Sequence, residues 1–430
     1  MRSTFLGFNT VKSGLFAAQR ALDITGHNIA NVNTKGYTRQ RLEQAASNPM
    51  SLPGGQGMLG TGVTTMAIKQ IRNEFLDFKY RGETNSLGFW EAKRDGLFFI
   101  EAIMNEPSDT GITTVMDQLF ASFQQLSKPE NADNLTTRAL VRQNAITFTN
   151  SINHMYDQME DMVRNFNFDT INIVNSINGY ADQIARLNEQ IFRYEVDGGN
   201  ANDLRDQRNL LIDELSKLVN VEVMEVMDVN DHIMTDSKTM GKKLVVQING
   251  QPLIYHDKAS KLDASQREKS KFFEDIGVDL EVNTIRWANG GKLNTSSLSG
   301  ELKALLDLRD GTGGNSKGVP YYIERLNHFV QVFAEEINKV HSAGYGLDGN
   351  DGYFFFTANG VSSEEAKAEN SRIITAKNIK IALDIEDLNK IAAASEKDLL
   401  PGDGSNALKL SNTRNDLTMY KEGKPEDFLK

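Results

Sequence analysis

The sequence predicts an α+β fold, elongated and multi-domain, in which an N-terminal heptad helix precedes a bundle domain of long helices with a mostly β domain inserted into it. Three observations carry that expectation. A strict seven-residue apolar repeat opens the chain, proline-free helical spacing runs from Thr136 to Val196, and alternation with period two takes over at Val219. The 430 residues allow two or three domains, at roughly 100–200 residues each.

Phe8, Leu15, Leu22 and Ile29 recur every seven residues, and Val11, Ala18, Thr25 and Val32 form a second series three positions on. This is an a/d seam of the kind that supercoils against a partner helix. Asn9, Lys12, Gln19, Arg20, Asp23 and His27 fill the other faces, so the stripe wants a partner and the rest wants water. Glycines and prolines between residues 36 and 70 surround the alternating run Val63 to Ile68, which predicts loops and a hairpin. Helical spacing returns from Arg72 to Met104, with Phe75, Phe78, Leu87, Trp90 and Leu97 among charges, and again over Val115, Leu119 and Phe123.

The proline-free stretch predicts one helix of roughly 90 Å at 1.5 Å per residue. Ile177, Ile184 and Ile191 form one of its apolar series. Asp197-Gly198-Gly199-Asn200 predicts a turn, and Leu204 to Leu218 a shorter helix with Leu211, Leu215 and Leu218 inward. Beyond it, Asn249-Gly250 between two apolar runs is a hairpin signal. Glu301 to Leu306 and Tyr322 to Val340 read as helices that close the bundle begun before the β insertion, and the chain finishes in a polar tail after Leu417. The expected domains are therefore 1–38 (helical arm), 39–220 (bundle, first part), 221–299 (β insertion) and 300–430 (bundle, second part).

Composition excludes several functions. Fifty-eight acidic against 47 basic side chains give a net charge of −11, without a run of five Lys/Arg, which argues against nucleic acid as a partner. Zero cysteine rules out thiolate metal sites and cysteine nucleophiles. No stretch approaches the ~20 apolar residues of a membrane span, and no uninterrupted apolar core of a cleavable leader is present. The six histidines lack zinc-helix spacing. Gly55-Gln56-Gly57-Met58-Leu59-Gly60 matches a dinucleotide fingerprint but lacks its strand-before, helix-after context. Asp348, Asn350 and Gly352 open like a calcium loop, yet a glycine sits where an oxygen ligand belongs. A hydrolase built on His232, His256, Asp257 and Asp263 of the β insertion has no recognisable motif, and no cofactor, metal or catalytic residue is expected.

The segment Gly26-His27-Asn28-Ile29-Ala30-Asn31-Val32-Asn33-Thr34-Lys35-Gly36-Tyr37-Thr38-Arg39-Gln40 resembles the N-terminal signature of the axial proteins of the bacterial flagellum: rod, hook and hook-associated proteins. Asn-rich sequence can satisfy the end of a heptad helix, and Gly36 permits a left-handed turn out of it. Three further blocks, Asp206 to Val221, His341 to Gly349 and Gly402 to Leu408, resemble the hook-associated members rather than hook or distal-rod proteins.

The resemblance implies a structural, non-enzymatic protein at the distal end of the hook, secreted through the flagellar type III apparatus. Its implied partners are the hook protein, a second hook–filament junction protein, the filament cap during assembly, an export chaperone, and further copies of itself in a ring. By residue, it implies that Phe8, Val11, Leu15, Ala18, Leu22, Ile29 and Val32 line an assembly interface. Asn28, Ala30, Asn31, Asn33, Thr34, Gly36 and Tyr37 would form the signature turn. Such proteins return a C-terminal helix to the N-terminal one, where the chaperone also binds; the polar tail here leads to the expectation that this segment is missing from the 430 residues.

Overall fold

This computed structural model describes residues 5–52, 57–104, 111–195, 199–227, 242–368 and 373–428. The chain groups into two compact units: Met1–Lys93, Asp169–Glu268 and Glu281–Ala304 form the first, and Arg94–Phe168, Lys269–Leu280 and Leu305–Lys430 the second. This grouping departs from the four stretches read from periodicity. Residues 39–220 are divided between the units, and most of 221–299 counts with the N-terminal arm. The physical reason is one helix long enough to contribute to two cores.

In the first unit, α1 (Leu6–Ala30) leads to a hairpin of β1 (Gln40–Ala46) and β4 (Val63–Gln70), tipped by the short strands β2 (Met50–Ser51) and β3 (Met58–Leu59). Of the fingerprint-like glycine string, Gly55 and Gln56 lie outside the described residues, and Met58–Leu59 pairs as a strand instead of opening a helix. Next come α2 (Glu74–Met104) and α3 (Ile112–Leu126), then α4 (Leu135–Glu195), a helix of 61 residues. The turn expected at 197–198 lies outside the described residues, and α5 (Asn202–Leu218) follows. Leu215 is buried on α5 as expected, but Ile212 and Val219 complete the inward face, while Leu211 and Leu218 are half-buried.

Four antiparallel strands then form a sheet in the order β5 (Glu222–Met227), β6 (Lys242–Ile248), β7 (Gln251–Tyr255) and β8 (Lys258–Ala259). Asn249 and Gly250 make the β6–β7 turn with φ of 51° and 77°, the left-handed pair that the Asn-Gly signal demands. Two side-chain amides of α4 reach backbone across this region: Asn178 donates to Leu262 O and accepts from Leu262 N, both at 2.8 Å, and Asn188 donates to His256 O at 2.8 Å.

The second unit contains the end of α2, all of α3, the first part of α4, the short α6 (Lys271–Asp275), most of α7 (Glu301–Asp310), and α8 (Val319–Ser342). Pro320 in the first turn of α8 costs no intrahelical bond, and Ile323, Leu326, Val330, Phe333 and Ile337 then bury one stripe. Phe120 of α3 and Phe148 of α4 meet Phe333 with ring centroids 5.9 and 4.8 Å apart. The helices before and after the β insertion thus share one core.

The polar tail proves to be folded. Tyr420 stacks on Phe329 and donates its hydroxyl to Phe329 O at 2.8 Å, and Phe428 is buried beneath the Arg325 guanidinium, 4.5 Å from the ring centre. Two apolar anchors among eleven mostly polar residues leave no periodicity to read. Arg138, fully buried, donates to Ala132 O, Leu388 O and Ile391 O, and burial lowers its pKa to about 10, so it stays charged.

Fully buried His341 has Nδ1 2.7 Å from Tyr353 O, so that nitrogen carries the proton, and Nε2 accepts from Ala392 N at 3.0 Å. Burial pushes its pKa down from 6.5 to about 4. The unfolded chain therefore binds the proton first, and stability present above pH 6.5 is lost as the pH falls towards 4, by about 3 kcal/mol at most. Hydrogen exchange of α8 amides at pH 7 and 5 checks this: their protection should fall with acid in the native chain and fall less in His341→Gln.

Candidate assembly site: the heptad face and the signature turn

α1 has two unlike faces. Its inward stripe is mixed in size and polarity: Ser13 Oγ accepts from Val63 N at 3.2 Å, Arg20 Nη1 donates to Thr65 Oγ1 at 2.5 Å, and Ala17 and Ile24 are buried. Small residues let the ribbon approach closely. At Gly62, φ is 119° and a Cβ would stand 2.1 Å from Ser13 Oγ, so only glycine fits.

The opposite face carries the heptad series. Phe8, Val11, Leu15, Leu22, Ile29 and Val32 are 66–73 % exposed, and Ala18 is exposed beside them. Packing within the chain therefore uses a stripe that hydropathy did not single out and leaves the apolar one open. α2 likewise exposes Phe75, Phe78, Leu87 and Trp90.

The signature turn ends α1 through side-chain amides. Asn31 donates both its backbone N–H and its Nδ2 to His27 O, capping a carbonyl at the helix end. Thr34 N donates to Asn31 O at 2.9 Å and Tyr37 N to Thr34 O at 3.1 Å, and Gly36 takes φ 82°. Asn28 holds the two ends of the turn together. Its Nδ2 donates to Gln40 O, and its Oδ1 accepts from Gln40 N and the Tyr37 hydroxyl, at 2.9, 2.9 and 2.8 Å. A carboxamide can supply both directions of a strand-like pair; a carboxylate cannot. Ala30 and Asn33 lie exposed on the turn.

The turn lands on α5. Thr38 N donates to Asp206 Oδ2 at 2.9 Å, Gln40 Nε2 to Asp203 Oδ1 at 2.8 Å, and Lys35 Nζ pairs with Glu214 Oε1 at 2.5 Å. His27 Nε2 stands 3.5 Å from Asp203 Oδ1, and its ring meets Tyr37 edge-on at 5.5 Å. Any Cβ at Gly36 would sit 3.2 Å from Leu210 Cβ, which adds crowding to the left-handed φ. Asp206 is nearly buried, and that burial raises its pKa despite the Thr38 bonds and the Arg72 guanidinium, whose Nη1 lies 3.8 Å from Oδ1.

The cations of α5 serve different partners. Arg205 forks onto Glu195 with two bonds of 2.7 Å, and Arg208 donates to Asn188 Oδ1 at 3.1 Å, its pKa lowered to about 10 by burial. Arg81 of α2 reaches across to Asp213 at 2.8 Å. One short helix thereby joins the end of α4, the start of α2 and the signature turn.

His232 lies outside the described residues, His256 sits in a turn at φ 53° with its ring edge-on to Phe192, and Asp263 accepts from Ser265 N at 2.9 Å. Among the described residues, no three His, Asp or Glu side chains are placed to hold a metal, and no helix is long and apolar enough to cross a membrane.

The family model for the flagellar hook-associated protein FlgK helical domain matches residues 99–356, and that for the flagella basal body rod protein matches residues 8–38. Flagellar hook-associated protein 1 of Bacillus subtilis is 30 % identical over 424 residues, covering 96 % of this chain and 80 % of the relative. The chain belongs to the flagellar hook-associated protein 1 family. The Salmonella typhimurium member is 29 % identical over 434 residues, covering 98 % and 71 %. The flagellar hook junction protein FlgK from Burkholderia pseudomallei aligns with 66 % of this chain and 47 % of its own, at 22 % identity and a TM-score of 0.49.

Family membership makes the chain a structural protein of the flagellum. The heptad face and signature turn fall inside the rod-protein match, and the α5 carboxylates inside the hook-associated match. The sequence singles out the first set as candidates and gives no role to Asp203, Asp206, Leu210 and Glu214, which the structure places against the turn. The available signal was that the Asp206 block resembled the family independently of the signature, although nothing in either segment says that they touch.

Asn28→Asp removes the donor to Gln40 O and sets an anion against that carbonyl, which should loosen the turn by about 1–3 kcal/mol. Faster hydrogen exchange of the Tyr37 and Gln40 amides in the variant checks this, and Asn28→Ser should lie between it and the native chain.

Proposed function

We propose that this chain is a building block of the hook–filament junction, at the distal end of the hook, and that the outward face of α1 is its assembly interface. One observation carries the reading. Phe8, Val11, Leu15, Ala18, Leu22, Ile29 and Val32 form a continuous apolar stripe on a helix whose other face is already packed against its own hairpin. An ordered apolar stripe of that length is a surface for helix pairing. The signature turn, docked on α5, orients that stripe. On this reading the chain is secreted and acts without catalysis. Its partners are further copies in a ring, the hook protein, the second junction protein, the filament cap during assembly and an export chaperone.

A hook or distal-rod role is the second reading, since the match at residues 8–38 is to a rod protein. Identity to hook-associated protein 1 relatives over 96–98 % of the chain favours the junction.

Deletion of the gene should leave hooks without attached filaments and filament subunits in the medium, whereas loss of a rod protein would also remove the hooks. Restoring the gene as Leu15→Glu with Leu22→Glu should fail to reattach filaments, because the substituted positions are exposed in the free chain and apolar contact is lost only on assembly. Electron microscopy of the cells scores the outcome, and attached filaments in the double variant would refute the interface.

A further inference from the structure

The base of the α1 arm meets α5 through polar contacts, with Leu210 against Gly36 as the apolar one: Thr38 to Asp206, Gln40 to Asp203, Lys35 to Glu214, and Gln70 Nε2 to Asn202 O at 2.8 Å. They are not equal. The Lys35–Glu214 pair is largely exposed, where ion pairs hold little. Asp206 is 5 % exposed and takes the Thr38 N–H between the left-handed Gly36 and the first residue of β1. Arg72, on the chain leaving the hairpin, donates to Thr38 Oγ1 at 3.2 Å and pairs with Asp77 at 2.6 Å, so both chain ends of the arm converge on this carboxylate. Its Oδ1 makes no hydrogen bond among the described residues. The fold keeps a desolvated carboxylate here facing Thr38, through its backbone N–H and its side chain, and the Arg72 guanidinium.

From this we infer that Asp206 is the positioning residue of the signature turn: by accepting the Thr38 N–H it fixes the direction in which the arm leaves α5, and with it the direction of the heptad face. The link to assembly rests on the junction reading, but the positioning itself does not. It acts through acceptor geometry rather than charge. An asparagine, which keeps an acceptor and drops the charge, should therefore substitute, and alanine should not.

The test is trypsin cleavage after Lys35 and Arg39, both exposed on the turn, in the full native chain, Asp206→Asn and Asp206→Ala, with hydrogen exchange of the Thr38 amide read in parallel. Asp206→Ala should be cut about tenfold faster and lose Thr38 protection, while Asp206→Asn stays within about twofold of native. Protection of α4 amides should be unchanged in both. Equal cleavage of native chain and Asp206→Ala would overturn the assignment. So would loss of α4 protection in the alanine variant, or an asparagine variant as labile as alanine, because each marks a general packing or charge role. The assay needs no flagellar partner, so its failure is distinct from filaments failing to depend on the heptad face.

Discussion

The first unit depends on how charge is divided on α5. Arg205 and Arg208 tie it to Glu195 and Asn188 at the end of α4, while Asp203, Asp206 and Glu214 receive the signature turn. A 17-residue helix has too little surface to join so many segments by apolar burial alone. Directional bonds let it do so, because each N–H or guanidinium must find one acceptor and no other register satisfies it. Burial makes the arrangement unforgiving: the raised pKa of Asp206 and the lowered pKa of Arg208 both express the cost of holding charge away from water.

The same economy explains α1. A lone apolar helix would bury its hydrophobic stripe at the first opportunity. Here the hairpin takes the other stripe through Ser13, Ala17 and Arg20, and the close approach of Ser13 to Gly62 is possible because neither of those two residues projects bulk. The helix is thus ordered without spending its heptads. The proposed assembly face is therefore open without any rearrangement of the chain.

The second unit is held differently. Its core is aromatic, and two of its buried polar side chains are held by backbone groups, Arg138 by three carbonyls and His341 by one donor and one acceptor. Tyr420 and Phe428 close that core from a segment whose composition reads as tail. Acid weakens it at His341 and at carboxylates held below their ordinary pKa such as Glu160 and Asp384, while the first unit's contact with the signature turn depends on hydrogen-bond direction.

Much was legible in the residues. Strict periodicity located α1 and α4, because a helix repeats every few residues whatever it packs against, and the Asn249-Gly250 turn followed from backbone sterics alone. The signature predicted a turn after α1, since Asn and Gly act on their own neighbourhood. Tertiary structure decided which face of α1 is covered, where the turn lands, and how the 61-residue helix shares itself between two units. Those outcomes join residues distant in sequence, 45 positions apart for Arg20 and Thr65 and 168 for Thr38 and Asp206. Local propensity carries no term for such distances, and hydropathy ranks an aspartate as surface until a backbone N–H is brought to it.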